Sequence, residues 1–247
     1  QKRDSIKFQN LSQDLKNRFR IAAKKFFIWY QSLNTNQKII KIDRLRDSSG
    51  VVQDVEINGI NFSIKHNHYA LKHPRPYSLA KQCGFNSSST EDITHRNDMK
   101  VVADAYRRNL NGIKKYNEDQ QLLSQLYKNI NQVCKNSIDK WCKQNPLIAV
   151  NFFNFIVGIN FYKVIVSETD EVNVEIQDFL NIPKPQNLIC GFDPQRSNYL
   201  NFSFNHNWII DLRLHTASST INTNPENQLS LKFDAQKISG SVKTYNI

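Results

Sequence analysis

Two residues eleven positions apart, Asp54 and Lys65, stand in two alternating runs, VVQDVEI and INFSIKH, that are separated only by Asn58 and Gly59. An Asn-Gly pair between alternating runs is the strongest short-range signal for a tight β-hairpin. Alternate residues of a strand share a face, so Asp54 and Glu56 point one way on the first strand, and Asn61, Ser63 and Lys65 point one way on the second. Pairing across the turn brings the two sets together. A carboxylate and a lysine on adjacent strands suit magnesium-dependent phosphodiester cleavage: the acid holds a hard cation through oxygen, and the ammonium stabilises or activates the attacking water. The spacing fits the loose pattern Asp, nine to twenty residues, acid, any residue, Lys, except that Ser63 occupies the second acid's position. A solvated cross-strand ion pair is the structural alternative.

The second run continues into FSIKHNHYALKHPRP, Phe62 to Pro76, which packs two lysines, three histidines and an arginine into fifteen residues. Such a run at the end of a strand can hold phosphates. The adjacent letters His66, Asn67 and His68 do not make an HNH nuclease motif, whose members are spread over tens of residues on a strand pair and a helix.

These residues must be positioned by elements that the rest of the chain supplies. Leu11, Leu15, Phe19, Ala22, Ala23, Phe26, Phe27 and Tyr30 recur at helical spacing in the segment 11–33, which predicts an amphipathic helix with a core-facing stripe. A strand is expected at 38–43 and a Ser/Gly turn at 47–50. After a polar loop at 84–92 the period becomes helical through about 95–158, with Pro146 starting the last helix. From about 160 to 247 the chain reads as β: FYKVIVS, EVNVEI, NYLNFSF, WIIDLRL and LSLKF, with turns between them. The expectation is an α+β fold in one domain spanning 1–247: a mixed sheet flanked by helices, with a helical insertion and a mostly antiparallel C-terminal region.

Over 247 residues, 33 Lys and Arg against 22 Asp and Glu give a formal charge of +11, which attracts polyanions. Nucleic acid or an anionic membrane surface is the first partner class to weigh, against plain solubility. The longest apolar run, Leu147 to Ile159, is too short to span a bilayer, and no Lys-rich helix with Trp opposite suggests a membrane-surface protein. Cys83, Cys134, Cys142 and Cys190 form no CxxC pair. Cys134 and Cys142 lie about 12 Å apart on one expected helix, so buried, reduced thiols in a cytosolic protein are expected. The first residues, QKRDSIKFQN, carry no initiating Met and no secretory pattern, which reads as a start inside a longer protein.

GVVQDVEI followed by INFSIKHNHYALKHPRP resembles the signature of the HaeIII-like family of type II restriction endonucleases. In that family an Asp-bearing strand precedes a strand ending in a Ser, x, Lys, His/Asn, Asn, His run and then a Lys-His-x-Arg run. FNFIVGINFYKVIV at 153–166, WIIDLRLHTASS at 208–219 and LSLKFDAQ at 229–236 agree in order. The resemblance implies a restriction-endonuclease-like PD-(D/E)xK core and a bacterial cytoplasmic enzyme of a restriction–modification system. It also implies Mg²⁺-dependent hydrolysis of double-stranded DNA at GGCC, cut between G and C.

Carried over by position, Asp54 is the metal-binding acid, Lys65 the catalytic lysine and Ser63 the variant acid position. His66, Asn67, His68, Lys72, His73 and Arg75 match the family's basic run. Arg213, with His215 on the same strand face, is the expected guanine contact, since a guanidinium can bond both O6 and N7. Lys232, Ser218 and Ser219 are expected at phosphates. An ion pair of Arg213 with Asp211 or Asp234 is the alternative. A palindrome implies a symmetric homodimer. The family's leading helical segment with its Glu has no counterpart in this chain, so either an N-terminal segment is missing or Glu56 supplies the further metal-binding acid. A non-catalytic basic nucleic-acid-binding module is the competing function; it needs no metal and binds many sequences alike.

Overall fold

The computed structural model describes residues 2–33, 41–45, 53–67, 71–168, 171–240 and 242–247. The elements run α1 (Lys2–Gln9), α2 (Gln13–Leu33), β1 (Ile42–Arg44), β2 (Val55–Ile57), β3 (Ile60–His66), α3 (Leu79–Gln82), α4 (Thr90–Arg108), α5 (Gln120–Gln144), α6 (Leu147–Ile156), β4 (Tyr162–Glu168), β5 (Val172–Asp178), β6 (Leu188–Phe192), β7 (Tyr199–Phe204), β8 (Trp208–Thr216), β9 (Leu231–Ser239) and β10 (Lys243–Asn246). The protein is α+β, with a six-stranded mixed sheet and a separate four-stranded antiparallel sheet. It divides into two compact units, one formed by 1–70, 158–182 and 242–247 and the other by 71–157 and 183–241.

In the first unit the strands lie in the order β1-β2-β3-β4-β5-β10. The hairpin closes at Asn58 and Gly59, whose φ values of 49° and 82° are both positive. This conformation fits a two-residue turn between right-twisted strands, and Asn and Gly tolerate it best. Ile57 then pairs with Ile60, Glu56 with Asn61 and Val55 with Phe62. Strand β3 pairs in parallel with β4, Ser63 opposite Lys163 and Lys65 opposite Ile165. As a central strand β4 is buried from Tyr162 through Val166 on both faces, as parallel neighbours usually are, and Lys163 is the polar exception.

Helix α2 covers one face of this sheet. Its Ala22, Trp29 and Tyr30 are buried with Phe62, Tyr162, Val164, Val166, Val174 and Ile176. Phe26 meets Phe62 edge-on at 5.3 Å, and Trp29 meets Tyr162 edge-on at 5.0 Å. The expected stripe is right at Ala22 and Tyr30; Ala23, however, is exposed and Trp29 takes a core position in its place. The opposite sheet face carries Ser63 and Lys65 on β3, Lys163 on β4, and Glu175 and Gln177 on β5. Of the strand expected at 38–43, residues 38–40 lie outside the described residues and β1 begins only at Ile42, running to Arg44; the turn expected at 47–50 also lies outside the described residues.

In the second unit β6, β7, β8 and β9 form an antiparallel meander. Leu200, Phe202, Phe204, Trp208, Ile210, Leu212, Leu214 and Phe233 are its buried face, meeting α6 through Phe152–Phe202 at 5.1 Å and Phe153–Trp208 at 5.0 Å. Helix α4 starts at Ser89, whose hydroxyl accepts the Asp92 N–H, and α5 at Asp119, whose carboxylate accepts the Leu122 N–H. Helix α6 does begin directly after Pro146. His95 of α4 is 1 % exposed and joins Ser137 of α5 at 2.8 Å to the Pro76 carbonyl at 2.7 Å. Cys83, Cys134 and Cys190 are buried and Cys142 half-buried, all four as free thiols. Burial pushes the Cys83, Cys134 and Cys190 thiols far up, which leaves them protonated and inert.

Candidate functional site

Asp54 lies at the head of β2 and is pinned there by its own backbone: its N–H donates to the Phe62 carbonyl at 2.7 Å, and its carbonyl accepts the Leu45 N–H at 3.0 Å. The register places it beside Ser63. Its carboxylate curls onto β3, where Oδ2 accepts three bonds: the Ile64 N–H at 2.7 Å, the Ser63 hydroxyl at 3.2 Å and the Lys65 ammonium at 3.2 Å. The Lys65–Asp54 ion pair is 19 % exposed on the lysine side and 39 % on the acid side. Ser63 is fully buried. An acid, a hydroxyl and an ammonium therefore share one point on two adjacent strands, with the acid's second oxygen outside this set of bonds.

A second basic group sits on the same face. Lys163 is 5 % exposed and pairs in register with Ser63 on one side and Gln177 on the other. Burial, together with the like charge of Lys65, lowers its ammonium to about 8 against the opposing pull of Glu175. The Glu175 carboxylate accepts a bond from Gln177 at 2.7 Å. The signal for Lys163 was a single lysine inside the apolar run FYKVIV.

Glu56 lies two residue pairs nearer the turn. It is paired in register with Asn61 and with Asp43 of β1, and Asp43 forms an ion pair with Lys41 at 2.6 Å. Among the described residues no three His, Cys, Asp or Glu side chains are close enough to enclose a metal ion. Magnesium does not need such a cage, because it keeps several waters and is commonly held by one or two carboxylates plus substrate phosphate. Asp54 with the adjacent Ser63 hydroxyl fits an ion held in that way.

The basic run is divided between the two units. His66 ends β3 on the α2 face, its ring 5.2 Å from that of Phe19, opposite to the side that carries Lys65. Asn67, at a φ of 55°, donates its N–H to the Val166 carbonyl at 2.8 Å. His68 lies outside the described residues. In the second unit Lys72 sits over the Phe155 ring at 5.6 Å and Arg75 is exposed.

On the outer face of the second unit's sheet four expected contact residues meet at one acid, Asp234. Its Oδ1 lies 3.0 Å from His73 Nδ1 and 3.7 Å from Lys232 Nζ; its Oδ2 lies 2.6 Å from His215 Nε2 and 3.3 Å from Arg213 Nη2. Despite this distance, His215 Nε2 makes no aligned hydrogen bond. Burial opposes ionisation of Asp234, but His215, the Arg213 guanidinium and Lys232 outweigh it and hold the carboxyl below its ordinary value. Of the two acids weighed for Arg213, Asp234 is the partner; Asp211 instead accepts a bond from Asn201 at 2.6 Å. Ser218 and Ser219 are exposed in the turn after β8. The Ser218 hydroxyl accepts the Thr220 N–H at 3.2 Å, and the Ser219 carbonyl accepts the Tyr116 N–H at 3.1 Å.

Comparison with protein-family models, with curated proteins and with solved structures finds no match for this chain. Among the described residues no helix is long and apolar enough to cross a membrane.

Proposed function

We propose that the chain is a magnesium-dependent deoxyribonuclease that hydrolyses phosphodiester bonds of duplex DNA at a short palindrome. The observation that carries this reading is the convergence of Asp54, Ser63 and Lys65 on two adjacent strands of a helix-flanked mixed sheet. A restriction-endonuclease-like core places its acid and lysine in this way, and the resemblance to the HaeIII-like family adds GGCC as the site, a cut between G and C, and a homodimer on DNA.

Hydrolysis adds water across one P–O bond and leaves a phosphomonoester on one fragment and a hydroxyl on the other. Asp54 would hold the ion, with Ser63 beside it as a neutral oxygen donor. When bound, the ion supplies a Lewis acid for the phosphate and an acidified water. Lys65 stands where its ammonium can leave Asp54 for a phosphate oxygen and stabilise the charge that grows there in the transition state. The charge of +11 favours the polyanion's approach. The test is to incubate the protein with unmethylated plasmid and Mg²⁺ and sequence the product ends. Discrete ends within GGCC, lost without metal and in Asp54→Ala and Lys65→Ala, are expected; scattered ends or full activity in both variants would overturn the proposal.

One observation favours a second reading, a binding module without catalysis: Asp54, the one carboxylate bonded to Ser63 and Lys65 among the described residues, is already paired with Lys65 at 3.2 Å. Such a module binds many duplexes with similar affinity, needs no metal, and leaves the plasmid intact.

A further inference from the structure

Asp234 has four basic side chains from three separate stretches within 4 Å of its carboxylate. Arg213 and His215 come from β8 and Lys232 from β9, where the register sets Arg213 opposite Asp234 and His215 opposite Lys232. His73 comes from a separate stretch, held against β9 by the bond from the Phe233 N–H to the Pro74 carbonyl at 2.9 Å. The carboxylate is 16 % exposed, whereas Arg213 is 41 % and His73 47 % exposed. The acid is thus less exposed than the basic side chains around it, so Arg213 and Lys232 turn positive charge to solvent even though the centre is a carboxylate.

Two requirements on a DNA-reading surface conflict here. Attraction to phosphates is independent of sequence and grows with every positive charge. Reading a guanine edge instead needs a guanidinium fork held in one orientation, because both of its bonds to O6 and N7 are directional. A loose arginine or lysine settles on whichever phosphate is nearest. A half-buried carboxylate that holds an arginine, a lysine and two histidines at once subtracts one charge from the surface and gives each of them a fixed place. In Arg213 it engages Nη2, one arm of the fork.

We propose that Asp234 is the specificity-determining positioning residue of the duplex-facing surface: it aims Arg213, His215, His73 and Lys232 together and withholds charge from phosphates of unrelated sequence. This rests on the DNA reading given above. The chemistry on offer is a phosphate oxygen for Lys232 and His73 and a purine edge for Arg213.

The test separates the two roles of the carboxylate. A pool of randomised duplexes is bound to the full chain in EDTA, which prevents cleavage, and sequenced before and after selection; affinity for the unselected pool is measured over a range of salt. For Asp234→Asn, affinity for the unselected pool should rise about two- to five-fold and its salt dependence should steepen by about one counterion. The enrichment of the selected motif should fall at least ~10-fold. Asp234→Glu, which restores the charge, should recover most of the enrichment, and its thermal midpoint together with that of Asp234→Asn reports whether the fold is kept. A motif as sharp in Asp234→Asn as in the wild type, an equal loss for every sequence, or a wild type that enriches no motif would each overturn the inference while leaving duplex binding in place. A wild type that binds no duplex at all would sink the DNA reading itself.

Discussion

Lys163 of β4 pairs in parallel register with Ser63 of β3, on the sheet face that also carries Lys65. A lysine that is 5 % exposed and lies beside a second ammonium is costly to keep charged, and this is why its value falls to about 8. In the unfolded chain the same group titrates near 10.5. Below pH 8 both states hold the proton and the penalty is fully present. Between pH 8 and 10.5 the folded state holds fewer protons, so stability rises with pH, and above 10.5 the penalty is gone.

Lys163→Met should therefore be more stable than the wild type at pH 7, by on the order of 2–3 kcal/mol. The difference should shrink as pH rises from 8 to 10. Urea unfolding of both proteins at pH 7, 8.5 and 10 without added metal checks it; a constant difference across this range would contradict the account.

Asp54 and Lys65 should be dispensable for duplex binding and indispensable for cleavage. Loss of either group is expected to lower the cleavage rate at least ~100-fold, while affinity for DNA measured in EDTA changes less than about three-fold. Asp54→Asn also tests structure, because the Ile64 N–H then meets an amide. If that amide turns its oxygen inward the bond survives and the thermal midpoint stays close to that of the wild type, so that any loss of activity is chemical.

His95 couples α4, α5 and the turn at Pro76. Burial lowers its affinity for the proton, against the Pro76 carbonyl, Asp98 and Asp92, which raise it. The unfolded chain therefore binds a proton near pH 6.5 that the folded chain refuses, and stability falls as pH drops below that value. His95→Leu should destabilise the fold at pH 7.5 by about 2–4 kcal/mol, since it strands the Ser137 hydroxyl and the Pro76 carbonyl. It should also flatten the decline between pH 7 and 5. Thermal melts at several pH values measure both effects.

Gly59 can be tested by backbone alone. A methyl group added there meets nothing within 4 Å, yet its φ of 82° strains any residue with a Cβ. Gly59→Ala should cost about 1 kcal/mol. Because the turn sets the register between Asp54 and Ser63, cleavage should fall further than stability. A variant with unchanged melting and unchanged cleavage would show that the turn is not what aligns the two strands.

The hairpin was legible because its information is local: Asn58 and Gly59 select the turn, and alternation then fixes which side chains face each other. Helices α2, α4, α5 and α6 were legible from their apolar period. Strand β6 was hidden, because LICGF is short and carries a glycine, and so was β10, whose KTYN is polar and lies at the sheet edge. Helix α1, KRDSIKFQ, has too little apolar surface to signal itself. The pairing of Asp234 with Arg213 was among the alternatives the sequence offered, but the place of Lys163 and the meeting of Asp234 with His73 were out of reach for a different reason. Each depends on neighbours far away in the chain, Ser63 in one case and His73 in the other, and periodicity says nothing about which distant strand lies alongside.

The parallel pairing of β3 with β4 joins Phe62 to Tyr162, a hundred residues later. Asp54, Ser63 and Lys65 can approach one another as soon as the hairpin is made, but Lys163 and Ile165 reach them only after the whole helical stretch has been synthesised and the chain has returned. An unfinished polypeptide thus has the Asp54–Ser63–Lys65 cluster without the buried strand beside it. Long-range closure of this kind is slow, so in a nascent chain the hairpin would form first and its parallel neighbour would join it only after the helices of residues 90–156 had been made.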